Sequence, residues 1–260
     1  MTSSFKGAAR RLTDTDLPRI GAIIGVGEDV LHAVMDVEAP KSGFDAQGRP
    51  RILFEPHIFY RELGPGPKRD RAVREGLAYR NWKSGAYGSE GGQYDKLARA
   101  IEIDCAAALR SCSWGRGQIM GFNHKMVGFD SVDAMVSAFM ASEAAQIEAI
   151  VRFAAANKLD GTLRAVDRMT RSMPNDWRSF AKGYNGGGYE KNGYHTKLSE
   201  RFNWWRNIPD TPWTFEPLPA APVAPSKPEP TLTEEHPTTG EPGFFARFLS
   251  ALFRRLKGAA

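Results

Sequence analysis

Residues 37–61, VEAPKSGFDAQGRPRILFEPHIFYR, are the stretch that decides the fold of this chain. Glu38 stands at the predicted end of an apolar helix, and a turn-rich segment follows it. A short β-like run then leads into a second carboxylate, Glu55. Two acid/base groups on either side of one bond are what glycoside hydrolysis requires. The alternative is a charged helix end beside a solvated hairpin.

The helix that precedes this stretch carries Glu38 on its apolar face. Leu31, Val34, Met35 and Glu38 follow the i, i+3, i+4, i+7 spacing of one helical face. Pro40 then ends the helix. Burial on that face would raise the pKa of Glu38 toward that of a general acid. A solvated residue at a helix end fits the same pattern, so periodicity leaves both interpretations open.

After the helix, the composition predicts a small β-hairpin. Residues 51–54 and 58–60 are β-branched or aromatic, and a Gly-rich turn precedes them. Asp45 lies near that turn and Glu55 directly follows the first run. Either carboxylate faces a cleft, or each is an exposed turn carboxylate, which is the usual position of a single Asp or Glu.

Two later segments are rich in glycine and aromatic residues. Residues 111–124, SCSWGRGQIMGFNH, fit neither a helix nor a strand pattern, and Gln118 there is able to hydrogen-bond sugar hydroxyl or amide groups. The glycines and aromatic residues of 184–194, YNGGGYEKNGY, are typical of a flat surface that binds carbohydrate. The alternatives are a structural corner filled by Trp114 and a loop with two packed tyrosines.

Composition limits the partners. The net charge of +5 and the pI near 9.2 favour an anionic partner such as nucleic acid, anionic lipid or an acidic cell-wall polymer. Nucleic acid is disfavoured because the positive charge is scattered and no recognised motif carries it. Cys105 and Cys112 have no histidine at ligand spacing, so we expect reduced core cysteines, no metal and no cofactor.

The composition also predicts a division of the chain. We expect a flexible N-terminus at 1–11, a mainly helical domain at 12–208, a Pro-rich linker at 209–242 and a cationic amphipathic helix at 243–260. The last segment is suited to adsorbing to an anionic membrane surface, or to docking onto the domain or a second copy. The N-terminus lacks the apolar region of a secretory signal, so synthesis in the cytoplasm is expected.

Taken together, the three strings at 37–61, 113–121 and 184–194 resemble the phage-type N-acetylmuramidase domain of endolysins from phages that infect Gram-negative bacteria. The resemblance covers about residues 12–208. It implies a mainly α, lysozyme-like α+β fold with a small β-hairpin beside the catalytic helix. The sequence departs from the family pattern at Ala39, where Ser is usual, and at Lys41, where Gly is usual.

The resemblance also implies an activity, namely hydrolysis of the β-1,4 bond between N-acetylmuramic acid and N-acetylglucosamine in peptidoglycan. The enzyme is expected to be a monomer that reaches the wall by holin-dependent release. A lytic transglycosylase and a membrane-active or wall-binding protein are the alternatives. The residues expected to act are Glu38 as the general acid, Glu55 in preference to Asp45 as the second carboxylate, and Gln118, Tyr184 and Asn185 as ligands of the sugar.

Overall fold

The computed structural model of the chain describes residues 5–83 and 87–214. Within them the chain is mainly helical, with one small antiparallel sheet, so the expected α+β class is confirmed. The helices are α1 (Asp16–Gly21), α2 (Glu28–Glu38), α3 (Pro56–Glu62), α4 (Pro67–Arg74), α5 (Gln93–Ile101), α6 (Cys105–Arg110), α7 (Val132–Ala141), α8 (Glu143–Ala156), α9 (Asp160–Asp167), α10 (Arg178–Asn185) and α11 (Tyr194–Trp205). The strands are β1 (Ile52–Phe54), β2 (Cys112–Trp114) and β3 (Ile119–Met120).

Helix α2 lies in the core, and it is held at a fixed position by α11. Leu31, Val34 and Met35 of α2 are buried, as the apolar periodicity predicts. On another face of α2, His32 stacks on Trp205 of α11 with ring centroids 3.7 Å apart. The Trp205 indole also donates a 2.9 Å hydrogen bond to Asp36. These contacts fix the helix that carries Glu38 at its C-terminal end.

Serine favours the N-cap position, so the sequence predicts that Ser131 and Ser142 begin two helices, and in the structure they cap α7 and α8. The hydroxyls of Ser131 and Ser142 accept hydrogen bonds from the backbone of Ala134 and Ala145 at 3.1 Å and 3.3 Å. The helical spacing of Tyr94, Leu97 and Ile101 predicts one helix that runs to about residue 109, whereas the structure has two helices, α5 and α6. Asp104 is extended between them, and its carboxylate caps α6.

The sheet differs from the expected hairpin. Strand β1 pairs with β2, and β2 pairs with β3, both antiparallel. Residues 58–60 lie in α3, because Pro56 occupies the first turn of that helix and its fixed φ favours a helical start. The pairing of 51–54 with 58–60 is therefore wrong. The turn expected before it is present, since Phe44 and Pro50 form an antiparallel bridge.

The N-terminal segment also differs from the expectation of a flexible tail, over the part that the structure describes. The backbone amides of Ala9 and Arg10 donate 3.0 Å hydrogen bonds to Met140 and Ala141. The ring of Phe5 packs 5.7 Å from that of Trp114. Hydrogen bonds and apolar burial therefore tie residues 5–11 to the domain.

The expected amphipathic helix at 243–260, and the expected linker beyond residue 214, lie outside the described residues. Among the helices that are described, none is both long and apolar enough to cross a lipid bilayer.

Candidate active site

Glu38 is the last residue of α2, and its side chain points into the protein. Only 4% of the residue is exposed. The following residue, Ala39, leaves the helical conformation with φ −142° and ψ 53°, ahead of Pro40. The helical register thus buries the carboxyl group, and the proline ends the helix directly after it.

The amide of Asn185 holds one oxygen of this carboxyl group. Asn185 Nδ2 donates a 2.7 Å hydrogen bond to Glu38 Oε1. The other oxygen, Glu38 Oε2, is buried and has no hydrogen-bond partner among the described residues. Asn185 ends α10, and the chain turns away at Gly186, whose φ of +68° suits glycine. The structure therefore brings together Glu38 and Asn185, which lie far apart in the sequence. It leaves Glu38 Oε2 without a hydrogen-bond partner among the described residues.

Burial gives Glu38 the electrostatics of an acid. Removal from water raises its pKa from 4.5 to about 8, although the Asn185 hydrogen bond and the positive charge of Lys197 lower it. The carboxyl group is therefore mainly protonated at neutral pH. Lys197 is not predictable as a site residue, because an exposed lysine on an amphipathic helix gives no signal that its charge acts on a distant glutamate.

Tyr184 is buried within electrostatic reach of Glu38. It is 1% exposed, stacks on Phe180 with centroids 5.4 Å apart, and meets Phe153 edge-on. Burial and the nearby Glu38 raise the pKa of its hydroxyl. Its burial between aromatic rings differs from the expected position in an open sugar-binding loop.

A second set of residues, also missed from the sequence, anchors the loop that follows Glu38. Glu143, at the start of α8, accepts hydrogen bonds from Ser42 Oγ and the Gly43 amide, both at 2.8 Å. It also pairs with Arg11 at 2.9 Å. A methyl group on Gly43 would lie 1.7 Å from the amide oxygen of Gln146, so the loop packs against α8 too closely for any side chain. These contacts fix the direction in which the chain leaves the Glu38 pocket.

Glu55 lies in a different cluster of polar side chains, formed with Tyr87 and His57. It is fully buried, and Glu55 Oε2 accepts a 2.8 Å hydrogen bond from the Tyr87 hydroxyl and lies 3.1 Å from His57 Nδ1. Burial raises the pKa of Glu55, while His57 and Tyr87 act to lower it. Its other oxygen, Oε1, has no hydrogen-bond partner among the described residues.

The two glutamates have different partners among the described residues. Lys197 acts on the charge of Glu38 and His57 on that of Glu55, and neither glutamate shifts the pKa of the other. Arg51, just before β1, contacts the loop after Glu38, because its Nε donates to the Ser42 carbonyl at 3.0 Å. Glu55 follows the far end of β1, about 13 Å along the strand from Arg51.

The remaining expected site residues have structural partners. Asp45 closes the 45–49 turn, where its carboxylate accepts from the amides of Gln47 and Arg49 and pairs with the Arg49 side chain at 2.8 Å. Gln118 is 6% exposed, and its amide bonds Ser113 at 2.8 Å and the Gly115 carbonyl at 2.8 Å. These contacts saturate Asp45 and use Gln118 to hold the β2–β3 turn.

The described residues include no group of three or more His, Cys, Asp or Glu side chains placed to hold a metal ion. Cys105 and Cys112 are both free. Cys112 is buried as expected, whereas Cys105 is exposed at the start of α6 and differs from the expected core position.

Comparison with known proteins identifies the family. The family model described as N-acetylmuramidase matches residues 28–206, which include both glutamates and Asn185. A crystal structure of Burkholderia AP3 phage endolysin is similar, with 39% sequence identity and a TM-score of 0.65 over 75% of this chain and 71% of that one. No curated protein gives a significant match. The chain belongs to the N-acetylmuramidase family and is a glycoside hydrolase that acts on peptidoglycan.

Proposed function

We propose that the protein hydrolyses the β-1,4 bond between N-acetylmuramic acid and N-acetylglucosamine, with Glu38 as the general acid. The observation that supports this most is the geometry of the carboxyl group. Asn185 donates to Glu38 Oε1, so the proton of the neutral acid resides on Oε2, the oxygen without a partner among the described residues. A pKa of about 8 keeps that proton in place at neutral pH.

In the proposed reaction, Glu38 Oε2 transfers its proton to the glycosidic oxygen as the bond from that oxygen to the anomeric carbon breaks. The leaving sugar departs as an alcohol, and an oxocarbenium-like centre remains. Water then adds to the anomeric carbon and gives a proton to the Glu38 carboxylate. The acid is restored and one water molecule is consumed.

The identity of the second group is also a proposal. The contacts of Asp45 argue against this role, because its oxygens accept hydrogen bonds from the 45–49 turn and from Arg49. Glu55 Oε1 has no hydrogen-bond partner among the described residues, but the partners of Oε2 differ from those of Glu38. We therefore propose that Glu38 is the only carboxylate that takes part in the chemistry, and that the 2-acetamido group of the substrate stabilises the positive centre, as in substrate-assisted glycosidases.

A pocket with one glutamate also fits a lytic transglycosylase, in which a hydroxyl of the muramic acid residue attacks in place of water. Mass spectrometry of digested peptidoglycan distinguishes the two reactions. We expect muramic acid products with reducing ends. Products that carry 1,6-anhydro-muramyl ends would contradict the proposal of hydrolysis.

We propose further that the protein acts as an endolysin, because the similar phage protein is one. In this proposal a monomer reaches the wall after holin-dependent release, and residues 243–260 adsorb to anionic lipid through their arginines, lysine and apolar face. Deleting residues 241–260 should leave activity on purified peptidoglycan unchanged and weaken lysis of whole cells. Equal lysis of whole cells by both forms would contradict the role of this segment.

A further inference from the structure

Arg116, in the turn between β2 and β3, contacts the residue that follows the proposed acid. Its Nε donates a 2.9 Å hydrogen bond to the carbonyl of Ala39, directly after Glu38. The last turn of α2 contains no basic residue, so Arg116 supplies from a distant segment the cation that stabilises the negative end of the helix dipole. The guanidinium group therefore lies at the end of the helix that carries Glu38.

The turn that carries Arg116 is held against α8. The Arg116 backbone amide donates to Gln146 Oε1 at 2.7 Å, and Gln146, which is fully buried, donates to the Phe139 carbonyl at 2.9 Å. A methyl group on Gly115, whose φ is +68°, would lie 2.7 Å from Gln146 Cδ. The base of the Arg116 side chain is therefore fixed, which reduces the entropy that binding a ligand would cost.

The outer part of the Arg116 guanidinium has no partner in the part of the chain that the structure describes. Its Nε is used by Ala39, whereas Nη1 and Nη2 make no hydrogen bond or ion pair with a described residue. Burial lowers the pKa of Arg116, while the charges of Glu143 and Asp36 raise it. A half-buried cation without a contacting carboxylate is costly, and the two outer nitrogens of a guanidinium match the two oxygens of a carboxylate.

Other cations surround the loop 39–43. Arg11 and Arg51 both donate to Ser42, and each of them is also paired with a glutamate. Lys41 is exposed in the loop and makes no hydrogen bond or ion pair with a described residue. Arg116 and Lys41 are therefore the two cations at this loop whose charge no described carboxylate neutralises by contact.

We propose that Arg116 and Lys41 form an anion-binding subsite that takes a carboxylate of the peptide stem attached to N-acetylmuramic acid. An extended peptide spans about 3.3–3.6 Å per residue, so a stem of three residues covers about 10 Å and reaches from a sugar at Glu38 to these cations. The subsite favours glycan strands that carry charged stems over neutral ones. This proposal rests on the proposed function for the identity of the polymer.

Two forms of one substrate test the subsite. One is purified peptidoglycan, and the other is the same material after carbodiimide and methylamine have converted its carboxylates to amides. With the wild-type enzyme, amidation should raise KM about three- to tenfold and leave kcat unchanged, the size of one partly exposed charged hydrogen bond. Arg116→Gln should raise KM for untreated peptidoglycan by a similar factor and remove the difference between the two substrates. Lys41→Gln should reduce that difference by a smaller factor.

Arg168→Gln is the matched control, because it removes the same charge from an exposed position at the other end of α2. The neighbouring Asp167 accepts a 3.0 Å hydrogen bond from the amide of Gly27, which precedes α2. This variant should keep the wild-type difference between the substrates, and Arg116→Lys, which keeps the charge, should keep part of it.

Three results would overturn the subsite: equal KM values of the wild type for both substrates, an equal rise in KM for both in Arg116→Gln, or a fall in kcat alone. If thermal unfolding shows that Arg116→Gln does not fold, Lys41→Gln decides, and a difference equal to that of the wild type would overturn the subsite. Failure of the proposed function would be seen separately, as hydrolysis that survives Glu38→Gln.

Discussion

Glu38 and Glu55 are two buried glutamates in one small domain, and their surroundings differ in kind. Both have a raised pKa, and both have one oxygen without a partner among the described residues. Glu38 is held by a neutral amide, which leaves a proton on the carboxyl group free to move. Glu55 is held by a tyrosine hydroxyl and a histidine ring, which tie it to neighbouring elements. Burial alone therefore does not distinguish the two glutamates, whereas the chemistry of their partners does.

The largest expected effect separates the two glutamates by activity. Glu38→Gln keeps the shape and the Asn185 hydrogen bond and removes the proton, so hydrolysis should fall by a factor of about 10²–10⁴. Glu55→Gln should lower the rate by a factor of less than about ten, because the contacts of Glu55 with Tyr87 and His57 give it a structural role. Release of soluble products from purified peptidoglycan measures both variants. Equal losses in the two would return Glu55 to the chemical step.

Glu38→Gln should also stabilise the protein at neutral to alkaline pH. The folded pKa of Glu38 is about 8 and its ordinary value is 4.5, so the unfolded state ionises first as the pH rises. The wild type should lose stability between those values and then level off. At pH 8, Glu38→Gln should be more stable than the wild type by roughly 2–4 kcal/mol. Urea unfolding at pH 5 and pH 8 tests this, and a wild type and variant that differ equally at both values would refute it.

Asn185→Leu removes the amide whose hydrogen bond favours the ionised form of Glu38. The pKa of Glu38 should then rise above about 8, and the alkaline limb of kcat/KM should move to higher pH. The rate at neutral pH should fall, because the acid is no longer oriented. The pH–rate profile checks the direction, and Asn175→Leu, at an exposed position before α10, is the control. A limb that moves to lower pH would contradict the role of Asn185.

The smallest expected effect comes from Lys197, whose charge lowers the pKa of Glu38 from an exposed position. Lys197→Gln should move the alkaline limb upward by less than Asn185→Leu does. The difference from wild type should diminish in high salt, because exposed charges are screened. Lys191→Gln, also exposed, is the comparison variant. A difference that survives at about 1 M salt would indicate an effect other than the charge of Lys197.

The sequence predicts the parts of the molecule that depend on local pattern. Helical periodicity placed Glu38 on the apolar face of α2 and left its burial open, which the structure decides, and the serine caps of α7 and α8 follow from local hydrogen bonding. The mainly helical fold follows from the same signals. The family resemblance also placed Glu38 and Asn185 among the site residues, and the structure brings these two into contact.

Contacts between residues far apart in the sequence were not predicted. Residues 112–114 replace 58–60 as the partner of β1, since strand pairing between distant segments leaves no periodic signal. The anchoring of the Glu38 loop by Glu143, and the charge of Lys197 on Glu38, also arise from helices far along the chain. A glutamine or a tyrosine in a glycine-rich segment is a plausible sugar contact, whereas the fold uses Gln118 and Tyr184 internally.

The most direct test of the central claim is a site-resolved titration of the glutamate carboxyl groups by NMR of ¹³C-labelled protein. The wild type should show one carboxyl resonance that titrates near pH 8. That resonance should be absent from Glu38→Gln and present in Glu55→Gln. A Glu38 resonance that titrates near 4.5, or a resonance near pH 8 that disappears in Glu55→Gln instead, would contradict the assignment of Glu38 as the acid.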